Sequence, residues 1–266
     1  MRRNEPTAWA DGTAYEAYVG RWSRLVAREF VRWLSIAPGA RWLDVGCGTG
    51  VLTETILREG DPSHVGGIDP SEAFLTFARA QLHDPRIRLE RGDAGGLPGP
   101  TGAYDAIVSG LVLNFIDDLP AALAEMRRVS RPGGIVAGYV WDYAGKMELI
   151  RYFFDAAVAL HSEAAEHDEG RRFPICRPEP LKALFEAAGL RGVEVRTIDV
   201  PARFRDFDDY WAPFLAGRFP APAYAMSLGE EARVALRDRL RAVLPVAEDG
   251  TISLIARAWA VRGARG

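Results

Sequence analysis

The run Arg41-Trp42-Leu43-Asp44-Val45-Gly46-Cys47-Gly48-Thr49-Gly50 limits what this chain can fold into more than any other stretch. It reads as a buried strand, a turn on three alternating glycines, and the start of a helix through Val51-Leu52-Thr53-Glu54-Thr55-Ile56-Leu57. Such a turn lets a ligand lie against bare backbone, with helix N–H groups pointing at it. The spacing departs from the dinucleotide fingerprint G-x-G-x-x-G, whose third glycine allows close helix–strand packing. Here the third glycine comes one residue early, at Gly50, and Val51 stands where the fingerprint has glycine. That disfavours a pyrophosphate binder. A nicotinamide-dependent oxidoreductase is disfavoured further by the lack of a Ser/Tyr/Lys trio at helical spacing.

The pattern then repeats. His64-Val65-Gly66-Gly67-Ile68-Asp69-Pro70-Ser71 is a short strand ending in an acid, about one βαβ unit downstream. A carboxylate there can accept from two adjacent ribose hydroxyls. Ser71, ahead of Phe74, Leu75 and Ala78, can cap the next helix itself, which leaves Asp69 for a ligand. A third strand, Ile87 to Arg91, leads to Gly92-Asp93-Ala94, and a fourth, Tyr104 to Gly110, ends at Ser109-Gly110. Asp117-Asp118 opens a helix through Leu123, Met126 and Val129. Arg131-Pro132-Gly133-Gly134 stops it and launches the fifth strand, Ile135 to Trp141. Strands alternating with helices predict a parallel sheet covered on both faces, with ligands beyond the carboxyl ends of its strands. Gly46–Gly50, Asp69, Asp93, Ser109 and Trp141 all fall at those ends.

With Leu43-Asp44 before the glycines, and with Asp69, Asp93-Ala94 and Arg-Pro-Gly-Gly in sequence, the chain resembles the class I S-adenosylmethionine (SAM)-dependent methyltransferases, in their small-molecule, type 11-like branch. The resemblance covers about residues 15 to 142. It implies an α/β, Rossmann-like seven-stranded sheet, mostly parallel with an antiparallel last strand. It implies SAM as cofactor and S-adenosylhomocysteine (SAH) as product. The glycine loop would cradle the amino-acid end of SAM with Asp44, Gly46, Cys47, Gly48 and Gly50, Cys47 itself reading as packing. Asp69-Pro70 would serve the ribose, Asp93 and the Ala94 N–H the adenine, and Ser109-Gly110 would complete the set. An N-terminal helix with an aromatic and an arginine would close over SAM, giving roles to Tyr15 and Arg21. The acceptor pocket would draw on Asn114, Trp141, Tyr210 and Trp211. Asn114 often has a histidine counterpart in relatives, so no base is carried over there. A non-catalytic SAM-binding protein remains the alternative.

The N-terminal segment, Tyr15 to Leu34, has a helical period that puts Trp22, Val26 and Phe30 on one stripe. Beyond Asp142 the pattern predicts a helix over Met147–His161, a polar stretch to Arg172, a helix over Pro178–Ala188, and a sixth strand over Val193–Asp199. An aromatic-rich run from Phe204 to Phe219 and a charged helix over Leu228–Leu244 precede an alternating last strand, Thr251 to Arg262. The organisation expected is an N-terminal helical cap (1–38), a SAM-binding core (39–142), a lid insertion (143–177), a core helix and sixth strand (178–200), a second lid insertion (201–247), and a last strand and tail (248–266). Methyl transfer from a sulfonium needs alignment and water exclusion, and only sometimes a base. The base is therefore unknown, with Tyr143 and His161 as the residues to examine. Asp206-Phe207-Asp208-Asp209 reads as acids at a helix start, so no metal is expected.

Composition narrows the partners. A net charge of −3 gives no support for nucleic-acid binding. Two cysteines are too few for a disulfide framework. No apolar run approaches a membrane span. These features lead to the expectation of a cytoplasmic monomer or homodimer acting on a small molecule.

Overall fold

The computed structural model of the chain describes residues 20–215 and 219–266; Tyr15 therefore lies outside the described residues. Helix α1 (Arg21–Leu34) precedes strand β1 (Arg41–Val45), α2 (Val51–Glu59), β2 (His64–Asp69), α3 (Glu72–Gln81), β3 (Ile87–Arg91) and β4 (Tyr104–Gly110). Then follow α4 (Leu119–Val129), β5 (Ser130–Trp141), α5 (Glu148–Leu160), the short α6 (Glu169–Arg172) and α7 (Pro178–Ala187). The chain ends with β6 (Leu190–Phe204), α8 (Phe207–Trp211), α9 (Pro220–Ser227), α10 (Glu230–Val243) and β7 (Ile252–Arg265).

The strands form one seven-stranded sheet in the order β3-β2-β1-β4-β5-β7-β6. The first five run parallel, β1 pairing with β2 and β4, β2 with β3, and β4 with β5. The last strand runs against its neighbours. Arg257 pairs with Asp199 and Arg262 with Glu194, so numbers rise on β7 as they fall on β6. Asp142 N donates to the Arg257 carbonyl and the Arg265 guanidinium to the carbonyls of Arg128 and Ser130, which gives the same sense against β5. The order reverses between β1 and β4, which places the topological switch point beside the glycine turn.

Contacts group the described residues into two compact units. The core unit comprises Ser23–Val140, Ile175–Ile198 and Ala258–Gly266. Trp42, Leu43, Ala106, Ile107, Val108, Val136 and Ala137 are buried at its centre. Strands buried on both faces must be near-continuously apolar, as β1 and β4 are. Val26, Ala27 and Phe30 of α1 are fully buried, and Phe30 meets Tyr139 at 4.7 Å between ring centroids. The second unit comprises Trp141–Pro174 and Asp199–Arg257, with the described residues up to Trp22. Its centre is aromatic: Phe153 stacks on Phe214 at 4.5 Å, and Phe204, Tyr210 and Trp22 pack edge to face or tilted.

Several boundaries moved. The fifth strand starts at Ser130 rather than Ile135, because Arg131–Gly134 continues the strand through an irregular register against β4. The sixth strand is 15 residues long and runs through Pro201 to Phe204, well past Asp199. The polar stretch before α7 contains a 3-10 turn, Ser162–Glu166, and α6. Helix α9 had no periodic apolar stripe to announce it; Ala221, Pro222, Tyr224 and Ala225 are buried on adjacent rather than helically spaced positions.

Candidate functional site

The site grows from the carboxyl end of β1. Gly46, Gly48 and Gly50 all have positive φ, at 75°, 51° and 89°, a region closed to most side chains. Two of the three are also fixed by packing. A Cβ on Gly46 would stand 2.5 Å from Val112 Cγ1, and one on Gly50 would stand 2.6 Å from Leu82 Cδ1. Gly48 differs, for among the described residues a Cβ there would meet nothing within 4 Å. The described residues leave open space above the middle of the loop. No side chain caps α2 at Gly50, and within its first turn the Thr53 N–H turns to the Asp44 carboxylate. Cys47 is buried, with Sγ 3.0 Å from where a Gly67 Cβ would lie, and burial pushes its thiol well above the usual range. It packs the loop onto β2.

Asp69, at the end of β2, holds the loop in shape. Its Oδ2 accepts from Gly48 N at 2.9 Å and its Oδ1 from Ser71 N at 2.8 Å. Gly46 and Cys47 donate their N–H groups to the Ile68 carbonyl beside it. Ser71 does cap α3, accepting from Phe74 N at 3.3 Å. Even so, Asp69 is not left to a ligand alone: it is 6% exposed and each oxygen already takes one backbone bond. Burial raises its pKa, and the bonds from Ser71 and Gly48 pull it back. Each carboxylate oxygen keeps a second lone pair for a ligand hydroxyl. Pro70 is exposed next to it.

Beneath the loop, Asp44 is fully buried. Its Oδ2 accepts from Thr53 Oγ1 at 2.7 Å, and Oδ1 has no hydrogen-bond partner among the described residues. Burial pushes the Asp44 carboxyl up to about 7; the Thr53 bond lowers it and the Asp69 charge raises it. Thr53 went unnoticed in the sequence because it sits inside a helical stripe. Its spacing nine residues after Asp44 carries no motif.

At the third strand end, Asp93 is exposed, and its Oδ1 takes Gly95 N at 2.7 Å, closing a turn that presents Ala94. At the fourth, Ser109 is fully buried and gives its hydroxyl to the Val45 carbonyl at 2.8 Å, which ties β4 to β1. Gly110 is required by Tyr139, whose Oη would lie 2.6 Å from a Cβ there. Leu111 then adopts φ 61°, which is uncommon outside glycine, with its N–H on the Tyr139 carbonyl. The next residues form a 3-10 turn, Leu113–Phe115. In it Asn114 Nδ2 is buried without a partner among the described residues. Val112, which fills the space over Gly46, and the strained Leu111 had no sequence signal. Both are apolar residues in an apolar run.

The remaining candidates lie in the second unit. Arg21 stacks on Trp22 at 4.4 Å and Phe204 at 4.8 Å, with Nη1 3.8 Å from Asp209 Oδ2. Trp141, at the end of β5, is buried. Tyr210 is fully buried and spends its hydroxyl on the Leu149 carbonyl at 3.0 Å, while Trp211 packs on Phe214. That makes both part of an aromatic core. His161 is half-buried with Nδ1 4.0 Å from Glu163. The Tyr143 ring meets Phe173 at 5.9 Å. Among the described residues no three His, Cys, Asp or Glu side chains group as a metal site, and no helix is long and apolar enough to cross a membrane.

Comparison with known proteins fits this geometry. A family model described as a methyltransferase domain matches residues 43–138, from β1 to near the end of β5. The demethylmenaquinone methyltransferase of Staphylococcus aureus (strain JH9) is 30% identical over 188 residues, 66% of this chain and 76% of that one. Among solved structures, the YcgJ protein of Bacillus subtilis superposes with a TM-score of 0.57 at 17% identity, over 91% of this chain and 98% of that one. The phosphoethanolamine N-methyltransferase 2 of Haemonchus contortus, solved with phosphomonomethylethanolamine and SAH, gives 0.57 at 18% identity, over 95% of this chain and 56% of that one. The two structures share the fold; the sequence relative and the family model carry the kinship, and by them the chain belongs to the class I SAM-dependent methyltransferases.

Proposed function

We propose that the chain binds SAM over Gly46–Gly50 and transfers its methyl group to a small-molecule acceptor. The observation that carries the reading is the space that the described residues leave open above Gly48, in a loop whose other glycines are filled by protein. Uncapped N–H groups of α2 and the loop backbone suit a carboxylate at that point. The second lone pairs of Asp69 suit the ribose hydroxyls, and the Asp93 turn with the Ala94 N–H suits the adenine edge. When bound, the cofactor supplies a sulfonium-activated methyl group. The chain's own work is to align, to exclude water and to hold the acceptor. Asn114 suits the last task, since its buried Nδ2 has no partner among the described residues. The acceptor of the Staphylococcus relative is, by its name, a demethylmenaquinone, which supports a small organic acceptor here. The segments 143–177 and 201–247 are proposed as the parts that order when ligand binds.

Titration calorimetry with SAM, SAH and NADH tests the cofactor. Heat with SAM and SAH and none with NADH is expected, and the reverse sinks the reading. Hydrogen exchange with and without SAH tests the ordering. Protection is expected at Gly46–Gly50, at Asp69–Ser71, around Arg21, and in at least one of the two inserted segments. A response confined to the glycine loop and strand ends removes the lid from the proposal.

A further inference from the structure

The turn after β3 is built from residues that hold no shape by themselves. Asp93-Ala94 is followed by two glycines in a row, Gly95-Gly96, and glycine has more backbone freedom to lose than any other residue. The turn closes on Asp93, whose Oδ1 takes Gly95 N at 2.7 Å and whose carbonyl takes Gly96 N at 3.1 Å. Its near side is fixed by β3, paired to β2, and by the Gly92 N–H, which donates to the Asp69 carbonyl at 3.2 Å. Its far side is fixed from α4. Glu125 Oε2 accepts from Leu97 N at 3.0 Å, and Arg128 Nη2 donates to the Leu97 carbonyl at 2.9 Å. Both main-chain groups of the first residue past the glycines are thus taken by one pair of side chains.

The pair is itself locked. Arg128 Nε and Nη2 donate to the two oxygens of Glu125 at 2.6 and 2.7 Å, and Nη1 reaches the Gly99 carbonyl at 3.1 Å. The Arg128 carbonyl takes Gly102 N at 3.0 Å, so the loop is held on its return as well. Glu125 and Arg128 are three apart on α4, where side chains share a face. The helix beneath them is anchored by Leu123, Met126 and Val129, all fully buried, and Leu97 is buried too. Reaching a carboxylate and two carbonyls at once takes the planar guanidinium fork, which a lysine ammonium lacks. Exposed ion pairs stabilise a fold little. This one is committed to the main chain of a single loop, which gives it a positional task.

We propose that Glu125 and Arg128 are positioning residues for base selectivity, holding the Asp93–Ala94 turn where it reads an adenine ring. This rests on the reading of that turn as the adenine contact, and every residue involved lies in the core unit. Calorimetry on the full chain with SAH and with its inosine analogue, in which an oxo group replaces the adenine amino group, tests it. The parent should bind SAH roughly tenfold or more tighter, because the oxo group has no hydrogen to give the Asp93 carboxylate. Asp93→Ala should remove that preference. Arg128→Ala leaves Asp93 in the chain, yet it should cut the preference by roughly threefold or more, lowering SAH affinity and not that of the analogue. An equal fall for both ligands, as a general loss of stability would give, or an undiminished preference overturns the proposal. Should Arg128→Ala fail to fold, Arg128→Lys, which keeps the charge without the fork, is read against the same outcomes. A preference that Asp93→Ala removes and the Arg128 variant keeps sinks the proposal alone. A parent without preference sinks the adenine reading and the proposal with it, and a parent that does not bind SAH sinks the cofactor reading.

Discussion

Two buried carboxyls stand at the glycine loop, and they differ in how many backbone N–H groups depend on them. Asp44 is ionised in the unfolded chain above about pH 4, but burial holds its folded pKa near 7. The folded state therefore takes up a proton between those values. The contribution is harmless below pH 4, costs stability progressively up to pH 7, and is constant above that. Asp44→Asn keeps an oxygen for Thr53 and removes the cost. Urea unfolding should show the variant more stable than the parent by on the order of 3 kcal/mol at pH 8, with the difference shrinking toward pH 4. A pH-independent difference would mean that Asp44 is not buried as described. Asp69 also has its pKa raised by burial, but its oxygens shape the loop through Gly48 and Ser71. Asp69→Ala should weaken SAH binding by roughly 1.5–3 kcal/mol, the scale for charge-assisted bonds. It should also lower stability, since two backbone N–H groups lose their acceptor. An unchanged SAH affinity would reduce Asp69 to a structural clamp.

At the scale of elements, the glycine turn divides its own labour, and substitution should reveal it. Gly46→Ala meets both a left-handed φ and the Val112 side chain, so it should cost roughly 2–4 kcal/mol of stability, from strain and overpacking together. Gly48→Ala meets only the φ and should cost about 1–2 kcal/mol. It should nevertheless lower SAH affinity at least tenfold, because its methyl projects into the open space. Thermal unfolding and calorimetry on the pair check this, and equal effects on both readouts would contradict the division. The turn, the β2 acid and the β4 boundaries were legible because each carries a local signal: glycine spacing, an acid at a strand end, a Ser-Gly turn; the start of β5 was not, because Arg131–Gly134 continues the strand instead of preceding it. What was not legible is what those residues touch. Nothing local shows that Asp69 would be shared between two backbone donors, that Val112 would lie on Gly46, or that Glu169 would be buried beside an already paired Asp168. Those follow from long-range packing. The aromatic run after Phe204 was legible as an aromatic-rich segment but its packing was not, since the Tyr210 hydroxyl finds its acceptor 61 residues away.

At the scale of the molecule, the boundary between the two compact units falls inside secondary structure. Trp141 ends β5 in the second unit while the rest of that strand belongs to the core, and β6 and β7 change units at Asp199 and Ala258. Disrupting the pairing that spans one such strand should therefore be felt on both sides. Arg257→Ala removes the two bonds at 2.6 and 2.7 Å to Asp199. Exchange should then quicken in β6 on both sides of Asp199, and quickening only beyond it would show the units to be independent. The same interleaving bears on how such a chain can change by recombination. A unit inserted as one continuous piece can be exchanged between relatives by a single crossover. Here the residues of the second unit come from separate stretches of the chain, 141–174 and 199–257 among them. A hybrid carrying only one of these from another parent would set one side of the Phe153–Phe214 stack against a partner it had not been paired with. Change within the aromatic unit is thus expected to come by single substitutions rather than by shuffling.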